Sequence, residues 1–217
     1  RFAAGATQPR RCFRTFLLTM FHFFFILYND NIMNFKIPLL VTKTLQVLEK
    51  KDFEAYIVGG PVRNLIMKRS THNWDFTSNA KPEEIQKIFP ESFYDNKFGT
   101  VGITAEELVK QFGLKDYDYK KENIDPEDVF EITTFRSEEE YADRRHPNKV
   151  SWGKTLEEDL KRRDFTINAM ALQVKSEKLK VKSHGSKFKI IAFFNRQKDL
   201  QKKIIRCVGN PDKRFNE

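Results

Sequence analysis

The chain has 217 residues, of which 40% are hydrophobic and 32% charged, with a net charge of +9. That length and apolar content suffice for a buried core in one or two domains, which excludes a wholly disordered chain or a small disulfide-stapled scaffold. The basic excess sits at one end: residues 175 to 217 carry 13 Lys and Arg against 4 Asp and Glu, a skew that suits a polyanion such as RNA or a solvated lysine-rich surface. Cys12 and Cys207 make no framework and point to a reducing, cytoplasmic setting.

Residues 1 to 32 differ in character from the remainder of the chain. Arg10, Arg11 and Arg14 precede "FLLTMFHFFFILY", an apolar run shorter than the roughly 20 residues a spanning helix needs. No small-residue cleavage site comes after it, so this stretch is read as a non-native or upstream-translated leader, disordered or loosely helical, with no membrane role. From Met33, "MNFKIPLLVTKTLQVLEKK" predicts an amphipathic helix with Leu39, Leu40, Val41, Leu45 and Leu48 as its apolar positions.

"AYIVGG" then reads as a short strand running into Gly59 and Gly60, and "PVRNLIMKR" resumes helical spacing. Strand, glycine pair and helix can cradle phosphate, with Arg63 adding a fixed positive fork, or can be a plain turn. In "THNWDFTSNA", Trp74 and Phe76 alternate with Asn73, Asp75 and Thr77. Side chains two apart on a strand share a face, so Asn73 and Asp75 would converge as oxygen donors for a hard cation.

Pro82, Glu83 and Glu84 open a helix reaching Phe89, and "SFYDNKFGTVGIT" reads as strand, glycine turn, strand. The acidic stretch "EELVKQFGLKDYDYKKENIDPED" is expected to be an insertion or long loop. "VFEITTF" is a strand with Glu131 and Thr133 on one face; Glu131 is either solvent-facing or a further acid directed at Asp75. "RSEEEYADRRHPNKVSW" has no period and reads as a mobile loop, with His146 and the earlier His72 on loop surfaces. "TLEEDLKRRDFTINAMALQV" begins on Thr155 as N-cap with Glu158 three residues on, and Leu156, Leu160, Phe165 and Ile167 are assigned to its buried side. Arg162, Arg163 and Asp164 could bind phosphate and a ribose hydroxyl together, or close a helix end as an ion-pair cluster.

Taken in order, "AYIVGGPVRNLIM", "THNWDFTSNAKPEEI", "FGTVGI", "VFEITTFRSEEEYADRRHPNKVSW", "TLEEDLKRRDFTINAMAL" and "KDLQKKIIRCVGNPDKRFNE" resemble the head domain of class II tRNA nucleotidyltransferases (CCA-adding enzymes) and bacterial poly(A) polymerases. The likeness covers about residues 33 to 217. It implies a polymerase-β-like α/β fold, a mixed sheet backed by helices. It also implies transfer of CMP or AMP from CTP or ATP to a tRNA 3′ end with Mg2+. Residues 33–205 would be the head and 206–217 the start of a truncated neck and RNA-binding part.

By the same resemblance, Asp75 is the second acid of an Asp-x-Asp pair, Asn73 stands where the first belongs, and Glu131 is the third metal-facing position. Gly59, Gly60 and Arg63 would hold the triphosphate; Arg162, Arg163, Asp164 and Asn168 would bind the nucleotide and its ribose. Two ions about 3.5–4 Å apart serve such transfer by activating the hydroxyl and neutralising pyrophosphate. The departures are Asn64 and Asn73 in place of Asp, "AFFNR" in place of a turn rich in Gly, and an end at Glu217, where the base-reading Glu-Asp-x-x-Arg element would begin. The other reading is a catalytically silent nucleotide- or RNA-binding module that kept the fold.

Overall fold

The structure is a computed structural model that describes residues 32–95, 99–137, 152–175, 187–193 and 196–212. The expected leader up to residue 31, most of the loop expected after Arg136, and part of "AFFNR" lie outside them. Eight strands form one sheet: β1 (Ile32–Asn34), β2 (Ala55–Val58), β3 (Trp74–Ser78), β4 (Phe93–Asp95), β5 (Thr100–Thr104), β6 (Val129–Thr134), β7 (Met170–Lys175) and β8 (Lys187–Ala192). Their order is β1-β8-β7-β2-β3-β6-β5-β4. β3 and β6 make the one parallel pair among them; the remaining neighbours are antiparallel. Helices α1 (Leu39–Glu49), α2 (Gly60–Ile66), α3 (Pro82–Ile88), α4 (Ala105–Gln111), α5 (Tyr119–Glu122), α6 (Leu156–Lys161) and α7 (Arg196–Gln201) complete it, a mixed α/β architecture as expected. No helix among the described residues is long and apolar enough to cross a membrane.

Strand alternation divides the sheet into two unlike faces. Ile57, Trp74, Phe76, Phe130, Ile132, Val101 and Ile103 join Leu40, Leu45, Leu48, Ile85 and Leu108 of the helices in the main core. Phe76 and Phe130 stack there at 5.9 Å between ring centroids. Burying each such ring contributes about 2–3 kcal/mol. On the other face a smaller cluster forms from Tyr56, Val58, Phe135 and Ala171 with Leu156 and Leu160 of α6. It leaves the remainder of that face, Asp75 and Glu131 included, open to a cleft.

Three expectations change. The first helix begins at Leu39, because Pro38 lacks an N–H to continue a helix through it and biases its predecessor to extended backbone; Met33 lies instead in edge strand β1, paired with Phe188. The Leu39 N–H donates to Glu122 Oε2 at 2.9 Å.

The acidic stretch after β5 is ordered. Thr104 Oγ1 accepts the Glu107 N–H at 3.3 Å to start α4, Leu108 and Ile124 are buried, and Phe112, Leu114, Tyr117 and Tyr119 pack on the core. Finally, the helix after Thr155 stops at Lys161, so Phe165 and Ile167 do not belong to its buried side. A 3₁₀ turn at Thr166–Asn168 comes next, and "MALQVK" is the inner strand β7, with Met170, Ala171 and Leu172 fully buried. An uninterrupted apolar run suits a strand covered on both faces as well as it suits a helix.

Candidate active site

Asp75 reaches the open face because Trp74 and Phe76 on either side of it are drawn into the core. Parallel pairing of β3 with β6 sets Asp75 opposite Glu131. Both line a cleft of about 470 Å3 with Arg162, Arg163, Gly102 and Phe93. The cleft therefore has acids along the strands and guanidinium groups at the end of α6.

The arginines are held from below. Asp159 is fully buried and accepts from Arg162 Nε and Arg163 Nη2, both at 3.2 Å, and from the Arg136 N–H at 3.3 Å. Arg163 Nε is itself buried with no hydrogen-bond partner. A buried carboxylate with two cations is stable only when its oxygens are satisfied this fully. It leaves net positive charge at the cleft wall.

Gly59 closes that wall. Its φ of 73° and ψ of −135° belong to a region that L side chains avoid. A Cβ there would stand 3.1 Å from Arg163 Nη1 and 3.4 Å from Asp75 Oδ2. The glycine thus lets an acid and a base from distant segments approach one backbone turn. Burial, then repulsion from Glu131, pushes the Asp75 carboxyl up to about 6, while the Arg163 charge acts in the opposite direction.

Of the residues singled out in the sequence, Asp75, Glu131, Arg162 and Arg163 meet at the cleft, with Gly59 against two of them. Gly60, Arg63 and Asn168 form an adjoining group in which Arg63 Nη1 donates to Asn168 Oδ1 and Arg63 also contacts Asn64 Oδ1. The Asp164 side chain is exposed, and its carbonyl accepts the Val208 N–H at 2.9 Å. Asn73 lies one residue ahead of β3, exposed, and is not part of the cleft lining.

Two contributors escaped the sequence. Asp159 sits among Glu157 and Glu158 and looks like one more solvated acid, although its spacing of three from Leu156 puts it on the buried stripe. Asp199 likewise looks like a surface acid, yet it accepts from Thr166 Oγ1 at 2.9 Å and from Arg206 Nε at 3.1 Å. The Thr166 N–H donates to the Arg206 carbonyl at 2.8 Å. The segment at 206–208 is thereby bonded to the loop that carries Arg163 and Asp164.

The model of the poly A polymerase head domain matches residues 55–206. A CCA-adding enzyme of Lactobacillus helveticus is 41% identical over 173 residues, covering 80% of this chain and 36% of that protein. One from Streptococcus mutans is 42% identical over 187 residues, 83% of this chain and 38% of its own. The crystal structure of the Bacillus stearothermophilus CCA-adding enzyme in complex with CTP matches with a TM-score of 0.56 and 30% identity, over 80% of this chain and 34% of that one. The chain spans little more than a third of the length of these relatives. The fold is the polymerase-β-like mixed sheet backed by helices that the resemblance implies. With the family model matched from β2 to Arg206, across every strand that lines the cleft, the chain belongs to the poly(A) polymerase head-domain family.

Proposed function

We propose that this chain is the transferring head of a template-independent RNA nucleotidyltransferase that moves CMP or AMP from CTP or ATP to a tRNA 3′ end. The observation that carries this reading is the cleft itself: the Asp75 and Glu131 carboxylates in one register beside Arg162 and Arg163 anchored on Asp159. The RNA 3′-hydroxyl oxygen bonds to the α-phosphorus, the bond to pyrophosphate breaks, and the hydroxyl proton leaves to solvent. Arg162 and Arg163 attract and orient the triphosphate, and Arg63 holds Asn168 at the neighbouring turn.

The two carboxylates suit a divalent cation. Asp75 is raised to about 6 in part by Glu131, a repulsion that a bound dication would relieve, and Mg2+ is held through one or two carboxylates plus substrate phosphates. Asp75 and Glu131 would hold it, with Asn73 able to offer only a neutral carbonyl oxygen from the start of β3. Bound there, Mg2+ supplies charge stabilisation for the transferring phosphoryl group and acidifies the attacking hydroxyl. Residues 33–205 form the transferring head in this reading, 206–217 lead into an RNA-binding part, and the setting is cytoplasmic.

The exposed position of Asn73 outside the cleft favours one second reading, a silent module that binds nucleotide or RNA without transfer. The test supplies CTP and ATP separately, with Mg2+, to a tRNA lacking its 3′ end. Incorporation that disappears in Asp75→Ala supports transfer. Nucleotide binding with no incorporation of either supports the silent module.

A further inference from the structure

Four residues on neighbouring strands stand in one line across the open face. Asp75 on β3 is registered with Glu131 on β6, Glu131 with Gly102 on β5, and Gly102 with Phe93 on β4. All four line the cleft. At Gly102 the row has no side chain, and the Phe93 ring fills the space: a Cβ at 102 would stand 2.3 Å from its Cζ and 2.7 and 2.9 Å from its two Cε atoms. The ring is laid inward over β5 from the edge strand. Neighbouring strands are about 4.8 Å apart, so the ring ends roughly one to two strand spacings from the acids.

Phe93 is 54% exposed and is the only exposed aromatic among the described residues. Its neighbour Tyr94 turns the other way and packs on the core. On the solvent side of an edge strand a polar side chain is the usual occupant, and the packing of Phe93 over Gly102 covers only part of its ring. What it offers is a flat π-face beside two carboxylates, the kind of surface on which unpaired bases stack without regard to sequence.

We propose that Phe93 is the stacking platform for the 3′-terminal base of the RNA acceptor, an assignment that rests on the proposed transfer activity. The two ends of the row differ in charge, and this decides which substrate lies where. Beyond Asp75, at the β2 end, Arg163 lies against Gly59 and draws the triphosphate. The hydroxyl that must meet the triphosphate at the acids then approaches from the β5 and β4 side. Its own base falls over Phe93, which carries no charge to compete for phosphate. Acids between the two binding faces keep the two substrates in a fixed order across the sheet.

The test is equilibrium binding of a single-stranded RNA oligonucleotide carrying 2-aminopurine at its 3′ end, followed by fluorescence quenching, alongside CTP binding. Phe93→Ala is expected to weaken RNA binding about tenfold and abolish the quenching, with CTP affinity and melting temperature unchanged. Phe93→Trp should stay within about twofold of the parent. Gly102→Ala should approach Phe93→Ala, because its methyl group displaces the ring. Equal RNA binding by the parent and Phe93→Ala overturns the platform while leaving transfer standing, as does a loss in CTP affinity that matches the loss for RNA. A parent that binds CTP but no RNA overturns the platform and the RNA acceptor together.

Discussion

Asp75 and Glu131 are cross-strand neighbours in a parallel pair, and the second carboxylate adds to burial in keeping the first at about 6. Between its ordinary value near 3.8 and about 6, the folded chain binds more protons at Asp75 than the unfolded chain does. Stability from this group is therefore full below the ordinary value and is lost as pH rises through about 6. After allowance for its partial contact with water, the loss is about 2 kcal/mol. Urea unfolding from pH 4 to 7 should show this decline in the parent and not in Asp75→Asn. Adding Mg2+ at pH 7 should raise the parent's midpoint and leave the variant's where it was. Parallel pH profiles for the two proteins would mean that Asp75 is not held in this way.

Asp159 carries two guanidinium groups and a backbone N–H while fully buried. Asp159→Ala leaves those donors without their acceptor, and the expected loss is about 3 kcal/mol of unfolding free energy. Triphosphate binding should weaken about tenfold or more as Arg162 and Arg163 lose their fixed direction. Asp159→Asn keeps one acceptor oxygen and should lie between. Isothermal titration with CTP, together with urea midpoints, separates the loss of arginine position from simple instability.

Gly59→Ala combines two effects at one atom. The backbone stands at φ 73°, which costs a residue with a Cβ about 1–3 kcal/mol, and the methyl group would press on Arg163 Nη1 at 3.1 Å. The outcome expected is a lower melting temperature and weaker triphosphate binding. A variant with unchanged CTP affinity would detach this turn from the nucleotide.

Asn73 is two residues before Asp75, and an amide brings an oxygen without a charge. Asn73→Asp is expected to tighten Mg2+-dependent CTP binding about tenfold and to raise transfer by roughly a hundredfold. Binding measured without metal should barely move. Equal Mg2+ dependence in parent and variant would show that position 73, exposed ahead of the strand, never approaches the ion.

The site strands were legible because alternation is a local property. "NWDFT" and "VFEITTF" each show which side chains share a face, and the structure puts Trp74, Phe76, Phe130 and Ile132 in the core as that alternation requires. That β3 and β6 are adjacent is not local: the strand pattern left Glu131 either solvent-facing or directed at Asp75, and the family resemblance favoured the second. Elsewhere charge misled. The acidic surface of α4 concealed Thr104 as an N-cap and Leu108 as a buried anchor. Asp159 was hidden among acids of equal appearance, since its burial depends on the angular position α6 presents to Phe135 and Tyr56.

The parallel pairing of β3 with β6 also bears on how the chain assembles. β4 and β5 can close as a local hairpin, and β7 joins β8 in the same sense. β3 and β6 meet only after α3, β4, β5, α4 and α5 have been threaded between them. Such non-local closure is slow, since chain entropy is spent before the contact rewards it. The two carboxylates that disfavour each other are thus brought face to face by a non-local step, one that spans less chain than the pairing of β2 with β7 or of β1 with β8. A dication present during refolding would act on that closing step, speeding the docking of β3 on β6 rather than holding together a pair already made.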